Sequence, residues 1–168
     1  MNSIYRRILA RSPAIKGHAF NVARSGSDVN DLMRQARSAV SSRPVPALFV
    51  VQSVDNDIHC DGTDAQNYAP FAATLRRTLE FINHRAPKAH IFMVSQWATV
   101  KNYTNAIKRI PAKRAAESGN GLCSVFDPSG RLRPAGMASL QKIVDAYHAR
   151  IAATCARVSN CRYDQGAV

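Results

Sequence analysis

Two apolar runs that each end in a polar turn constrain this chain more than any other feature of its sequence. Residues 18–22 lead into the turn at Ser25 and Gly26, and residues 47–51 lead into an Asp-rich loop. Between them, residues 29–40 place apolar side chains at helical spacing, with Asp28 as the N-cap. A strand, a glycine turn, a helix and a second strand in this order predict an α/β fold with a parallel sheet.

The same alternation continues towards the C-terminus. Pro44 and Pro46 precede the continuous apolar run at 47–51, which predicts a strand buried on both faces of the sheet. The other predicted elements are a short helix at 3–10, a helix through 71–82 that Pro87 closes, a strand at 90–95, a helix at 99–116 interrupted by Pro111, a loop at 119–136, a helix at 137–156 and a strand beginning at 161–168.

Length and composition indicate one domain. The chain has 168 residues, of which 46% are hydrophobic, enough for a single core and too few for two ordinary domains. No apolar run approaches the roughly 20 residues that cross a bilayer. The first residues carry charges where a secretory signal would have its apolar centre, so we expect no signal peptide within this chain.

The charge balance favours an anionic neighbour. Lys and Arg number 23 against 11 Asp and Glu, which gives a formal net charge of +12. The basic residues are spread over the polar sides of the predicted helices without interleaved aromatic residues, so a solvated basic surface is favoured over a nucleic-acid face. We therefore expect no specific nucleic-acid partner, peripheral contact with an anionic envelope, and a monomer.

Four cysteines, an even number, predict disulfides. None of them has the C-x-x-C spacing of a zinc site or redox pair. Cys155 and Cys161 are separated by a short polar segment that could join a helix end to the next strand, which leaves Cys60 to pair with Cys123. The alternative interpretation is four buried thiols in a protein of a reducing compartment. Disulfides favour export.

Polar groups at the ends of the first two apolar runs form the candidate site. Ligands of parallel α/β sheets bind at the carboxyl ends of the strands, where Ser25, Gly26 and Asn56 are expected. A backbone N–H at Gly26 and the side-chain amide of Asn56 could together stabilise the oxyanion of a tetrahedral intermediate. A tight turn that needs glycine, capped by an asparagine, explains the same residues equally well.

Four segments resemble blocks of the SGNH (GDSL-type) hydrolase family, especially its exported, cysteine-containing members. They are residues 21–27 (NVARSGS), 47–64 (ALFVVQSVDNDIHCDGTD), 86–97 (APKAHIFMVSQW) and 160–168 (NCRYDQGAV). The resemblance implies a flavodoxin-like three-layer α/β/α sandwich and a secreted or envelope-associated serine esterase or lipase. Such an enzyme acts on a small-molecule or lipid ester without a cofactor or metal. Gly26 and Asn56 match the oxyanion-hole positions of the family.

The chain departs from the family pattern in its catalytic residues. The family uses a Ser in a Gly-Asp-Ser motif and a late Asp-x-x-His, but no Gly-Asp-Ser occurs here, and the matching end of the chain precedes the expected Asp-x-x-His. We therefore expect residues 1–168 to form one partial domain that is inactive for lack of Ser and His. Val54 and Asp55 also stand where most members have Gly. The alternative function is a non-catalytic basic domain that binds nucleic acid or anionic envelope components.

Other candidate residues have simpler interpretations. Asp145 and His148 spell Asp-x-x-His, but they fall within a predicted helix, where residues three apart often pair with each other. Ser25 lacks the first and last Gly of the Gly-x-Ser-x-Gly nucleophile elbow and is expected to be a turn residue near the substrate. Asp57 is interpreted as a loop-organising acceptor, and His59 as a residue near the cleft, both within reach of substrate. The spacing of the loop carboxylates does not match an EF-hand, so no metal is expected.

Overall fold

The computed structural model describes residues 3–96, 99–111, 117, 119 and 121–167. The helices of this part are α1 (Ile4–Arg11), α2 (Leu32–Val40), α3 (Asp64–Arg85), α4 (Val100–Lys108) and α5 (Pro134–Cys155). The strands are β1 (Leu48–Gln52), β2 (His90–Val94) and β3 (Cys161–Tyr163). Single 3-10 turns occupy Pro13–Ile15, Val29–Asp31, Asp55–Asp57 and Leu122–Ser124. The predicted α/β class is confirmed.

The three strands form one parallel sheet in the order β1, β2, β3. The register sets Phe49 beside Ile91, and Ile91 beside Cys161, so these side chains share one face of the sheet. All three are buried. The predicted parallel sheet is therefore present, with its core side defined by this row.

The opposite face of the sheet is partly exposed within the described part of the chain. Val50 lies beside Phe92 in the register, and Phe92 lies beside Arg162. Val50 is 46% exposed and Leu48 is 36% exposed. The prediction that β1 is buried on both faces is thus wrong, because a continuous apolar run does not by itself show which faces helices cover. Among the described residues we see no helical layer on this side, so a three-layer sandwich is not established.

The helices bury apolar side chains at helical spacing. On α2 the buried residues are Leu32, Ala36, Ala39 and Val40. On α3 they include Phe71, Leu75, Leu79 and Ile82, and on α5 they include Leu140, Val144, Tyr147 and Ile151. Spacings of three and four residues place each set on one side of its helix, against the others and the sheet.

Several elements differ from the prediction at their ends. Residues 18–22 form no strand, since no described strand pairs with them, and Phe20 is 55% exposed. β3 ends at Tyr163 because Gln165 and Gly166 adopt positive φ angles, which are incompatible with an extended strand. Helix α4 ends at Lys108. Residues 112–116, assigned to the same helix, and Trp97 and Val168 lie outside the described residues.

Both predicted disulfides are present. Cys60–Cys123 joins the loop before α3 to the 3-10 turn before α5, and Cys155–Cys161 joins the end of α5 to β3. Two disulfides are typical of proteins that fold in an oxidising compartment. Within the described residues no helix is both long and apolar enough to cross a bilayer.

Candidate functional site

The first predicted donor lies in an exposed turn. Ser27 N–H donates to the Arg24 carbonyl at 3.3 Å, which closes a turn over Ser25 and Gly26. Gly26 has a φ of +75°, a conformation that glycine adopts without cost. A Cβ at this position would meet no atom within 4 Å, so the backbone angle rather than a close approach requires glycine. No described residue accepts a hydrogen bond from the Gly26 N–H.

Asn56 links this turn to the end of β1. It lies in the 3-10 turn Asp55–Asp57, and its Nδ2 donates to the Ser27 carbonyl at 2.9 Å. The side chain is exposed, and one of its two amide hydrogens remains for another acceptor. The structure therefore brings Asn56 next to the Gly26 turn, although 29 residues separate Asn56 from Ser27 along the chain.

The buried Asp57 carboxylate connects the loop after β1 to neighbouring backbone and side-chain donors. Its Oδ1 accepts from Val29 N–H at 3.0 Å, and its Oδ2 accepts from Ser53 Oγ at 2.9 Å. Burial raises the pKa of the Asp57 carboxyl, and these two hydrogen bonds oppose that shift. Because both carboxylate oxygens are bonded within the protein, Asp57 has the contacts of a loop-organising acceptor. Its contact with substrate stays a prediction.

Tyr147 of α5 donates a hydrogen bond to the backbone of the same loop. Its hydroxyl donates to the Asp57 carbonyl at 2.6 Å, and its side chain is fully buried. The ring makes edge contacts with Tyr68 and Phe71, each with centroids 4.9 Å apart. Tyr147 is not among the candidate site residues that the sequence indicates. The available signal was that a buried tyrosine hydroxyl needs a hydrogen-bond partner.

Val54 adopts a backbone conformation that is unfavourable for valine. Its φ is 135° and its ψ is −41°, and the side chain is only 1% exposed. Positive φ is a genuine outlier for a β-branched residue, whereas glycine tolerates it. This position is one of the two where the resemblance leads us to expect glycine. The strained residue directly precedes the turn that carries Asn56.

We expect Val54→Gly to be more stable than Val54→Ala by about 1 kcal/mol, the reverse of the usual order. Both variants lose the buried side-chain atoms beyond Cβ. Only the glycine variant also relieves the backbone strain at positive φ, which is worth about 1–3 kcal/mol. This gain exceeds the cost of the greater backbone entropy that glycine has in the unfolded chain. Urea unfolding of both variants measures the difference. Val125 is the matched control, because it is equally buried but has a φ of −61°. There alanine should be the more stable, and the same order at Val54 would contradict the strain.

His59 and Cys60 lie on the other side of the loop. Their backbone N–H groups donate to Asp64 Oδ1 and Oδ2 at 2.9 and 2.8 Å. The His59 side chain is exposed and lines a shallow pocket of about 280 Å³ beside the Cys60–Cys123 disulfide. This pocket is not lined by Gly26 or Asn56, so the predicted place of His59 near the substrate and its role in binding stay predictions.

Asp145 and His148 lie on α5, as predicted, and have local partners. Asp145 Oδ1 accepts from Gln141 Nε2 at 2.7 Å, and the His148 ring lies 6.2 Å from that of Tyr163. Burial lowers the pKa of His148, and the charges of Asp145 and Asp164 oppose this shift. No described contact joins this pair to Gly26 or Asn56.

The loop carboxylates Asp61 and Asp64 accept hydrogen bonds that close local turns. Asp61 accepts from Thr63 N–H and Oγ1, and Asp64 accepts from two backbone amides. Within the described part of the chain, no three His, Cys, Asp or Glu side chains come together in a group that could hold a metal ion.

Comparison with known proteins adds no relative to this geometry. No family model, curated protein or solved structure matches the chain.

Proposed function

We propose that this chain carries the oxyanion-binding part of a serine ester hydrolase of the SGNH type. The observation that supports the proposal is the 2.9 Å hydrogen bond from Asn56 Nδ2 to the Ser27 carbonyl. This bond holds a side-chain amide beside a turn in which the Gly26 N–H has no described acceptor. A tight turn capped by an asparagine accounts for the bond itself. The Gly26 N–H and the second amide hydrogen of Asn56 lie at an exposed surface, where the oxygen of a ligand can reach them.

Two such donors suit the chemistry of ester hydrolysis. When a nucleophile attacks the ester carbonyl, its oxygen becomes negative, and N–H groups fixed in advance stabilise that charge. Losing one donor of this kind lowers kcat by roughly 10² to 10³. In this proposal Gly26 and Asn56 bind the oxyanion, Asp57 and Tyr147 hold the loop in position, and Ser25 and His59 lie near the substrate.

The same residues do not provide the nucleophile. Ser25 sits in the turn itself, Asp145 accepts from Gln141, and no described contact joins Asp145 or His148 to Gly26 or Asn56. Ser, His and Asp act as one catalytic unit, and without it only a small part of the rate enhancement remains. The proposal is therefore that ester hydrolysis needs a nucleophile and a base in addition to Gly26, Asn56 and the residues that hold them, and that export is the cellular setting.

We expect no ester turnover by the chain alone. Incubation with a short p-nitrophenyl ester should release nitrophenol at the background rate, and a fluorophosphonate probe should label no serine. Labelling of a single serine together with turnover would show that the chain does contain a complete catalytic unit. Salt-sensitive binding to DNA without any oxyanion binding would instead favour a basic binding domain, for which the net charge of +12 is the only support.

Binding of an oxyanion can be tested without catalysis. We expect dimethylphosphinate to shift the Gly26 N–H and the Asn56 side-chain amide signals in heteronuclear NMR spectra, since its oxygens resemble the tetrahedral intermediate. The Asn56→Ala variant should bind at least several-fold more weakly. Asn105→Ala, at an exposed position of α4, is the matched control and should bind like the wild type. Equal binding by both variants would refute the proposed role of Asn56.

A further inference from the structure

Helix α1 has an apolar face and a basic face. Its sequence is IYRRILAR, and at 3.6 residues per turn the apolar and the basic side chains lie on different sides of the helix. The apolar face consists of Ile4, Tyr5, Ile8 and Leu9. The basic face consists of Arg6, Arg7 and Arg11. This pattern is typical of helices that bind at a surface rather than within a core.

The apolar face of α1 is not packed into the core. None of the residues Ile4–Arg11 is buried, and Ile4 and Ile8 are each 37% exposed. Helix α2 has nearly the same length, but its apolar residues Leu32, Ala36, Ala39 and Val40 are buried. Removing exposed apolar surface from water is favourable. The structure therefore leaves α1 a face that a partner can cover.

Local hydrogen bonds hold α1 and the residues after it in place. Ser3 Oγ caps the helix by accepting from the Arg6 N–H at 3.3 Å. The Tyr5 hydroxyl donates to the Ile15 carbonyl at 3.3 Å and accepts from the Gly17 N–H at 2.9 Å. An isolated helix as short as α1 is unstable in water. Because these bonds order the helix in advance, little entropy is lost when its face is covered.

The charge of this segment has one sign. Residues 1–27 contain no Asp or Glu, and the first acidic residue of the chain is Asp28. The Lys and Arg residues of the segment are Arg6, Arg7, Arg11, Lys16 and Arg24. An anionic lipid surface attracts such a segment, and each Lys or Arg close to that surface raises the affinity about fivefold. The segment is therefore complementary in charge to anionic lipid.

The exposed isoleucines distinguish a membrane from a nucleic acid as the partner. Acyl chains can cover Ile4 and Ile8, whereas a phosphate backbone offers contacts to arginines but no apolar surface to isoleucines. At 1.5 Å per residue α1 is about 12 Å long, much shorter than the roughly 30 Å hydrocarbon core of a bilayer. The helix is thus suited to lie in the membrane interface.

We propose that α1 binds in the interface of an anionic lipid bilayer, with Ile4 and Ile8 in contact with acyl chains and Arg6 and Arg11 at the lipid phosphates. Arginine stems lie along apolar surface while the guanidinium groups reach phosphate oxygens, so both faces of α1 can be satisfied at once. The proposal does not depend on the hydrolase assignment. It gives the anionic envelope that the net charge leads us to expect a defined contact surface.

The test is sedimentation of the whole chain with lipid vesicles. We expect binding to vesicles of equal parts phosphatidylglycerol and phosphatidylcholine. Binding to vesicles of phosphatidylcholine alone should be at least about tenfold weaker. Added salt should weaken the binding to anionic vesicles, because it screens the charges. No binding to anionic vesicles, or equal binding to both kinds, would overturn the proposal.

Arginine variants test the charge. Arg6→Gln and Arg11→Gln should each weaken binding to anionic vesicles about fivefold, because each removes a charge close to the lipid surface. Arg150→Gln is the matched control, since it changes the net charge equally at an exposed position of α5. It should bind within about twofold of the wild type. Equal losses in all three variants would show that the overall charge, and not α1, attracts the protein to the membrane.

Isoleucine variants test the apolar contact. Ile8→Ser should weaken binding to anionic vesicles at least about threefold, because serine lacks the apolar surface that the acyl chains cover. Ile110→Ser is the matched control and should bind like the wild type, since Ile110 is 44% exposed and lies outside α1. Neither isoleucine is buried, so both variants should keep the unfolding midpoint of the wild type. If Ile8→Ser also binds like the wild type, the contact is purely electrostatic, as with a nucleic acid or an acidic protein, and the proposed insertion is wrong.

Discussion

Breaking the Cys60–Cys123 disulfide is expected to lower the free energy of unfolding by about 4 kcal/mol. The two cysteines are 63 residues apart in the chain, and the entropy lost by the unfolded chain on closing a loop of this size gives that value. Cys60→Ala/Cys123→Ala removes the cross-link, and urea unfolding measures the loss. For the Cys155–Cys161 bridge, with a separation of 6 residues, the same relation gives about 2 kcal/mol before any loss of packing.

Single variants distinguish the cross-link from the side chains. Cys60→Ala and Cys123→Ala each break the same bond, so each alone should cost nearly as much as the double substitution. If the effect came from side-chain packing, the two single losses would instead add up to the double loss. Additive losses, or a double loss below about 1 kcal/mol, would contradict the loop-closure explanation.

Much of the fold could be predicted from periodicity. The stripe Phe71, Leu75, Leu79 and Ile82 predicts a buried helix face because every fourth residue returns to the same side. The run at 90–95 predicts β2 because it is apolar and bounded by polar residues. What periodicity could not predict is which elements find partners. Residues 18–22 have the composition of a strand, but a strand exists only when a neighbour accepts its hydrogen bonds.

Part of the candidate site could also be predicted. The turns after the two apolar runs were expected to meet because parallel strands end at one edge of a sheet. Residues 18–22 form no strand, so that reason holds only for β1, but Asn56 after β1 does donate to the Ser27 carbonyl beside Gly26. The strain at Val54 could not be predicted, because no local pattern indicates a valine at positive φ. The hydrogen bond from Tyr147 to the Asp57 carbonyl could not be predicted either, because 90 residues separate the two in the chain. Helical spacing shows only that Tyr147 faces the core.

That long-range bond makes Tyr147 the residue whose replacement we expect to affect both stability and the candidate site. Burial raises the pKa of Tyr147, so its hydroxyl stays protonated and donates to the Asp57 carbonyl. Tyr147→Ala removes a fully buried ring with two aromatic contacts and should cost about 3–5 kcal/mol. Tyr147→Phe keeps the ring and should cost about 1–2 kcal/mol, because it leaves a buried carbonyl without its donor.

The Phe variant is the informative one, because it separates packing from the support of the loop. Without the hydroxyl, the turn Asp55–Asp57 loses its tie to α5, so we expect the Asn56 side-chain amide signals to shift although Asn56 itself is unchanged. Tyr163→Phe is the matched control, since that hydroxyl has no partner among the described residues, and its loss should cost less than about 0.5 kcal/mol. If Tyr147→Phe and Tyr163→Phe have equal stabilities and leave the Asn56 signals in place, then α5 does not hold the loop that presents the proposed oxyanion donor.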